Sequence, residues 1–326
     1  MLYLNGEDVR AAIDCERAMQ AVERALLIQE SGAFEMPDRT HVQCSEQGLQ
    51  LLMPCVAGAM FSTKLLTVFP GNREQGLPII DGILVINDRS NGSVQALLDA
   101  KAVTAIRTGA VTGVSVRHLA SVDARTLGVV GCGVQARDQI SHSCAARSIE
   151  RIFLHSRRPE SANELAQELR ARDASVSVEC LTSADDVARA SDILISATTA
   201  RQPVFSDDPQ LFRGKHCVAI GSFEADVREY PDAVFEQLEH VWVDTPHARH
   251  ESGELMTPLA SGCLRPESIE SLGQWLSANG DVPRGTTGTT FFKSVGMALF
   301  DLELGREALS AARAAGLGQQ LDVGRS

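Results

Sequence analysis

Two stretches carry residues whose types and spacing suit chemistry. In LGVVGCGVQA, Gly131, Gly133 and Ala136 stand in a G-x-G-x-x-A spacing, directly after an apolar run and at the opening of a helical pattern. That arrangement suits a dinucleotide pyrophosphate. The first glycine makes the tight turn and the second removes the side chain that would block the phosphates. The helix N–H groups that open at Val134, Gln135 and Ala136 then meet the negative charge. Alone the spacing is only a glycine-rich turn, but a strand before it and a helix after it make it specific. In CVAIGSFEADVRE, an apolar run ends on Gly221, and Glu224, Asp226 and Glu229 follow closely, with Phe223 just ahead of them. This second stretch reads either as an acid/base centre or as the wet rim of a pocket.

The strand after the glycine turn refines the first assignment. An NAD site usually offers an acid about 20 residues on, to bind the ribose hydroxyls. Here LHSRRPE puts Ser156, Arg157 and Arg158 in that region, with no carboxylate among them. Two guanidiniums and a hydroxyl suit a 2′-phosphate, because arginine is always charged and grips phosphate bidentately. The expected cofactor is NADP(H), with NAD(H) above a solvated basic turn as the other possibility.

The elements that must position these residues follow from periodicity. From Thr126 onward, apolar β runs (TLGVVG, RIFLHS, VSVEC, DILISAT, HCVAIG, HVWVD) alternate with helical segments (from Val134, ESANELAQELRAR, ADDVARA, AVFEQL). The fold class is therefore α/β, with a parallel sheet covered on both faces. Before residue 100 the texture is α+β. Two helices capped by Asn5 and Asp14 precede the β-like runs THVQC, LQLLMPCV, STKLLTVF and IIDGILVIND, and Asn91-Gly92 marks a hairpin. KAVTAIRTGAVTGVSVRHLA predicts a helix leading away from that unit. TTFFKSVGMALFDLELGREALSAARAAG predicts one long C-terminal helix ended by Gly316.

Composition excludes several classes. The 326 residues, 44% hydrophobic, suffice for two domains. A formal charge of -12 argues against nucleic acid, whose binding needs a concentrated basic face. No apolar run approaches the roughly 20 residues that span a bilayer, and MLYLNGEDVR lacks a basic leader, so a cytoplasmic location is expected. Eight cysteines without a CxxC pair suggest reduced thiols. His247 and His250 lack further ligands at a fixed spacing, so a solvated helix start is expected there and no metal site.

Taken together, MPDRTHV, STKLLTVFP, GLPIIDGILVIND, TAIRTGA, VGCGVQA, VDTPHARHESGEL and TTFFKSVGMALFDL resemble the ornithine cyclodeaminase/μ-crystallin family over nearly the whole chain. The resemblance implies a Rossmann domain, expected over 119–300. It also implies an α+β substrate-binding domain built from both chain ends, expected over 1–118 and 301–326, through which a homodimer forms. The family's carboxylate-binding groups fall on Arg39, Lys64 and Arg107. The residues support this, since Lys64 lies mid-strand among apolar neighbours and Arg107 in a nearly uncharged helix, where an idle charge is costly. Structural ion pairs are the competing account. Thr108, Thr198 and Thr199 resemble the family's cofactor contacts, with ordinary hydroxyl capping as the alternative; Gly221 is grouped with them.

Family members that cyclise ornithine or lysine resemble one another in an aspartate that falls here on Phe223, and a phenyl ring relays no proton. The imine-reducing members have a loop like G-x-x-x-P-D-x-R-E, and GSFEADVRE keeps Asp226, Arg228 and Glu229 of it. The resemblance thus implies reduction of a cyclic ketimine carboxylate, 1-pyrroline-2-carboxylate or 1-piperideine-2-carboxylate, with Phe223 as an apolar wall. Asp226 and Glu229 are then expected to fix the loop, with Arg228 as a partner. An ornithine/lysine cyclodeaminase, an alanine-type dehydrogenase and a non-catalytic, dinucleotide-dependent binding protein remain as alternatives.

Overall fold

The computed structural model describes residues 1–221, 224–280 and 288–322. Strand β1 (Leu2–Leu4) leads into helix α1 (Gly6–Ala12). The Asn5 side chain accepts hydrogen bonds from the N–H groups of Glu7 and Asp8, and Asp8 accepts from the Asn5 N–H, which completes a capping box. Asp14 caps α2 (Cys15–Ser31) through the Arg17 N–H, and Gly32 closes it at φ 70°. Short strands β2 (Phe34–Glu35) and β3 (Thr40–Gln43) precede the long meander β4 (Leu49–Ala57), β5 (Met60–Val68), β6 (Ile80–Asp88) and β7 (Val94–Asp99). Helix α3 (Ala100–Leu119) follows.

The chain then alternates. Strand β8 (Thr126–Val130), α4 (Ala136–Ala146), β9 (Arg151–His155), α5 (Pro159–Arg172), β10 (Ser177–Cys180), α6 (Ala184–Ala190), β11 (Ile193–Ser196) and β12 (His216–Ala219) come in that order. They are followed by β13 (Val241–Val243), α7 (Ala248–Glu251), α8 (Gly253–Ser261), β14 (Ile269–Ser271), α9 (Leu272–Asn279) and β15 (Thr290–Lys293). Helix α10 (Ala298–Ala315) and β16 (Gln319–Gln320) finish the described chain.

Two compact units result: Met1–Arg107 together with the chain from Met297 onward, and Thr108–Gly296. The first boundary falls inside α3, ahead of residue 118. In the first unit the sheet runs β16-β1-β7-β6-β5-β4-β2, with β3 also on β4, so strands from opposite chain ends lie side by side. Strand alternation gives this sheet one buried face, which carries Met53, Lys64, Leu84 and Leu98, and α10 packs against that sheet and α2.

The second unit is an all-parallel sheet in the order β10-β9-β8-β11-β12-β15-β13-β14. Strands β8, β11, β12 and β15 are buried at every residue, as expected of strands covered on both faces. After β8 the chain builds β9 and β10 to one side and then crosses to β11 on the other. The carboxyl ends of β8 and β11 therefore form a topological switch point.

The C-terminal pattern differs from the expected single helix. Thr290–Lys293 is strand β15, inserted between β12 and β13 with Phe291 opposite Cys217 and Val241. Gly296 turns at φ 74° and the helix starts only at Ala298. Phe291 and Phe292 are fully buried, and core burial of aromatics in a pleated sheet overrides the helical periodicity of the segment. The AVFEQL segment, also expected as an α-helix, is a 3-10 turn over Asp232–Gln237. Helix α4 begins at Ala136 rather than Val134, because Ala136 N–H bonds back to Gly133 and tightens the turn.

Candidate dinucleotide and carboxylate sites

The glycine turn lies at the switch point. Gly131 has φ 98°, and a Cβ there would sit 2.5 Å from the Ala197 carbonyl oxygen, so backbone conformation and strand proximity both require glycine. Gly133 is the opposite case. A Cβ on it would meet no atom within 4 Å, which leaves open space over the turn where phosphates would approach. Gln135 makes no side-chain cap bond to α4, so an anion can take the first-turn N–H groups. Val134 is 79% exposed and Ala136 fully buried. Cys132, within the turn, is a buried thiol that burial pushes up to about 12, so it is no nucleophile.

The basic turn lies one strand away. Val130 pairs with His155, and the Gly131 N–H donates to the His155 carbonyl at 2.9 Å, so the residues after β9 flank the glycine turn. Ser156 there is half-buried, and Arg157 and Arg158 are exposed. Arg158 also occupies the N-cap position of α5.

On the other side of the switch point, Glu229 joins the ends of β11 and β12. It is fully buried. Its Oε1 accepts from Ser196 Oγ at 2.5 Å, from the Thr198 N–H at 2.6 Å and from Thr198 Oγ1 at 2.8 Å, and its Oε2 accepts from the Gly221 N–H at 2.7 Å. Thr198 thus commits its hydroxyl to a carboxylate, whereas Thr199 is exposed. Thr108 is buried in α3. Glu254 accepts from the N–H groups of Glu229 and Tyr230 at 2.7 and 3.0 Å. Burial pushes the Glu254 carboxyl up to about 7, with Lys293 opposing and Glu229 adding to the rise.

The carboxylates of this loop therefore have different partners from those expected. Arg228 is ion-paired with Asp232 at 2.8 Å and donates to the Tyr230 carbonyl at 2.9 Å, rather than pairing with Asp226 or Glu229. Asp226 instead pairs with Arg201. Phe223 lies outside the described residues. His247 and His250, at α7, are exposed.

In the first unit a second cluster forms on the buried face of β5. Lys64 is fully buried, and its Nζ lies 2.6 Å from Asp301 Oδ2, on the first turn of α10, and 3.4 Å from Thr104 Oγ1. Arg107 Nε lies 3.3 Å from the other oxygen of Asp301. Two buried cations thus share one carboxylate. Burial lowers Lys64 to about 8; Asp301 opposes this, while the positive charges of Arg107 and Arg39 reinforce it. Arg39, half-buried between β2 and β3, is therefore electrostatically part of the cluster. Sequence reasoning missed Asp301. Its only signal was an acid inside the apolar run GMALFDLEL, which a helix N-terminus accounts for equally well.

Comparison with known proteins adds independent observations. The family described as ornithine cyclodeaminase/mu-crystallin matches residues 2–310. A Delta(1)-pyrroline-2-carboxylate reductase of Bacillus cereus is 31% identical, over 99% of this chain and 100% of the relative. An alanine dehydrogenase of Archaeoglobus fulgidus is 26% identical over 98% of each chain. Among solved structures, the Delta(1)-pyrroline-2-carboxylate reductase of Thermococcus litoralis, in complex with NADH and L-proline, superposes with a TM-score of 0.90. It is 30% identical, over 98% of this chain and 100% of that one.

Proposed function

Because the chain belongs to the ornithine cyclodeaminase/mu-crystallin family, we propose that it is a nicotinamide-dependent reductase of a cyclic ketimine carboxylate. The substrate is 1-pyrroline-2-carboxylate or 1-piperideine-2-carboxylate, and the product L-proline or L-pipecolate. The observation that carries this reading is the buried cluster in which Lys64 and Arg107 share Asp301. Two cations beside one anion suit a second carboxylate, that of the substrate, and a lysine lowered to about 8 exchanges a proton near neutral pH. The likeness to reductases of B. cereus and T. litoralis supports the same chemistry.

The residues divide the work. Arg107 and Arg39 hold the substrate carboxylate, and Lys64 keeps the imine nitrogen protonated while Asp301 fixes its ammonium in place. A phenyl ring at position 223, where an acid would favour deamination, relays no proton. When bound, the dinucleotide supplies the hydride that C2 of the imine takes up. Its pyrophosphate is held at Gly131–Ala136, where the open space over Gly133 and the uncapped start of α4 fit it. Arg157, Arg158 and Ser156 favour NADPH over NADH through the 2′-phosphate. A homodimer forms through the outer face of the first unit's sheet. Leu52, Val56, Leu65, Val85 and Leu97 are half-buried there, and Ile83 is 36% exposed.

The decisive experiment follows NADPH and NADH oxidation by the purified protein with both ketimines and, separately, with pyruvate plus ammonia. Turnover of a ketimine is expected. Lys64→Met and Arg107→Met should each lower kcat/KM by about 100-fold or more; near-normal values in both would overturn the site. A second reading, amino-acid dehydrogenation, is favoured by the likeness to the A. fulgidus alanine dehydrogenase. It would gain if pyruvate plus ammonia were the better substrate.

A further inference from the structure

The Glu229 clamp belongs to neither the glycine turn nor the basic cluster, and its place in the sheet gives it a role. Ser156, Arg157 and Arg158 lie on the β9 side of the glycine turn, and β11 and β12 lie on the other. A dinucleotide with its pyrophosphate on Gly131–Ala136 and its adenosine ribose at Ser156–Arg158 must therefore send its nicotinamide half over the ends of β11 and β12. Glu229 fixes the backbone at those two ends. It accepts from Ser196 and Thr198 at the end of one strand and from Gly221 at the end of the other.

The fit is tight. A Cβ on Gly221 would lie 2.2 Å from the Thr198 carbonyl oxygen and 2.5 Å from the Glu229 carboxyl carbon, so the two strand ends are drawn together as closely as glycine allows. A buried carboxylate is costly unless its oxygens are satisfied, and these four donors satisfy it only while both strand ends keep this spacing. The segment carrying Glu229 is itself pinned, because Glu254 takes the N–H groups of Glu229 and Tyr230.

Resting on the dinucleotide reading above, we infer that Glu229 is a positioning residue for the nicotinamide half of the cofactor. It acts through the Thr198 and Gly221 backbone, and the adenosine half is held independently on the other side of the switch point.

The test separates the two halves by comparing NADH with ADP, which lacks the nicotinamide and its ribose. Glu229→Gln preserves volume and one acceptor oxygen. Its NH2 group, however, faces the Gly221 N–H donor to donor and releases that strand end. Titration calorimetry should show NADH binding weakened roughly tenfold, the loss of one charge-assisted hydrogen bond, with ADP affinity within about twofold of the unaltered protein. The fluorescence of bound NADH should move toward that of free NADH. Equal weakening of both ligands would mark Glu229 as a general structural tie and overturn the inference, as would unchanged binding of both. Should Glu229→Gln fail to fold, Thr198→Val removes one hydroxyl donor and leaves the backbone bonds; it should show the same selective loss, smaller in size, and loss of neither ligand or of both equally overturns the inference. No ketimine enters this assay, so its outcome is independent of the substrate assignment. Failure of the unaltered protein to bind either ligand would instead count against the dinucleotide reading.

Discussion

Lys64 is the residue on which the pH behaviour turns. In the proposed role the ammonium is the useful form, and burial lowers it to about 8, so the donor is lost as pH rises through that value. In the free enzyme kcat/KM should fall above about pH 8, approaching tenfold per unit. Asp301 opposes the lowering, and Asp301→Asn should therefore move this limb to lower pH; a pH–rate profile of both proteins checks the direction. Arg157→Ala/Arg158→Ala should lower kcat/KM with NADPH by about tenfold or more and leave NADH nearly unchanged, because only NADPH carries the 2′-phosphate. Parallel steady-state assays with the two cofactors decide this. Lys64 and Arg107 were named through the family resemblance, and a charge among apolar neighbours made each conspicuous in the sequence as well. Asp301 was not, because an acid in a helix's first turn is ordinary, and only the fold brings it, far along the chain, to Lys64.

At the level of elements, the glycine turn was legible because the strand, the turn chemistry and the helix after it agree locally. The C-terminal strand was hidden. TFFK runs on into an apolar helical pattern, and only its neighbours β12 and β13 make it a strand. The same dependence on neighbours governs Gly221, whose requirement for glycine comes from β11 and Glu229 rather than from its own turn. Gly221→Ala forces two strand ends apart and should destabilise the protein by about 1–3 kcal/mol, measured by urea unfolding. Loss of dinucleotide affinity should accompany it.

For the molecule as a whole, the α/β class was legible from alternation alone, since buried parallel strands and amphipathic helices have distinct periods. Which face of the first unit's sheet meets α10 was not, because β4, β5 and β6 are apolar on both faces. Burial separates them: Leu66 and Leu84 are covered, and Leu65 and Ile83 remain in part exposed. Leu65→Glu with Ile83→Lys should convert the proposed homodimer to a monomer, read as a halved mass in light scattering. An unchanged mass would place any dimer contact elsewhere.

The pairing of β1 with β16 and the packing of α10 on the first sheet set an order of events during synthesis. The meander is made early, but Asp301 and the helix that covers Lys64 leave the ribosome only after the whole second unit. A chain truncated after Met297 should hold a protease-resistant second unit while its first hundred residues remain digestible, and resistance there should appear only in chains that include α10.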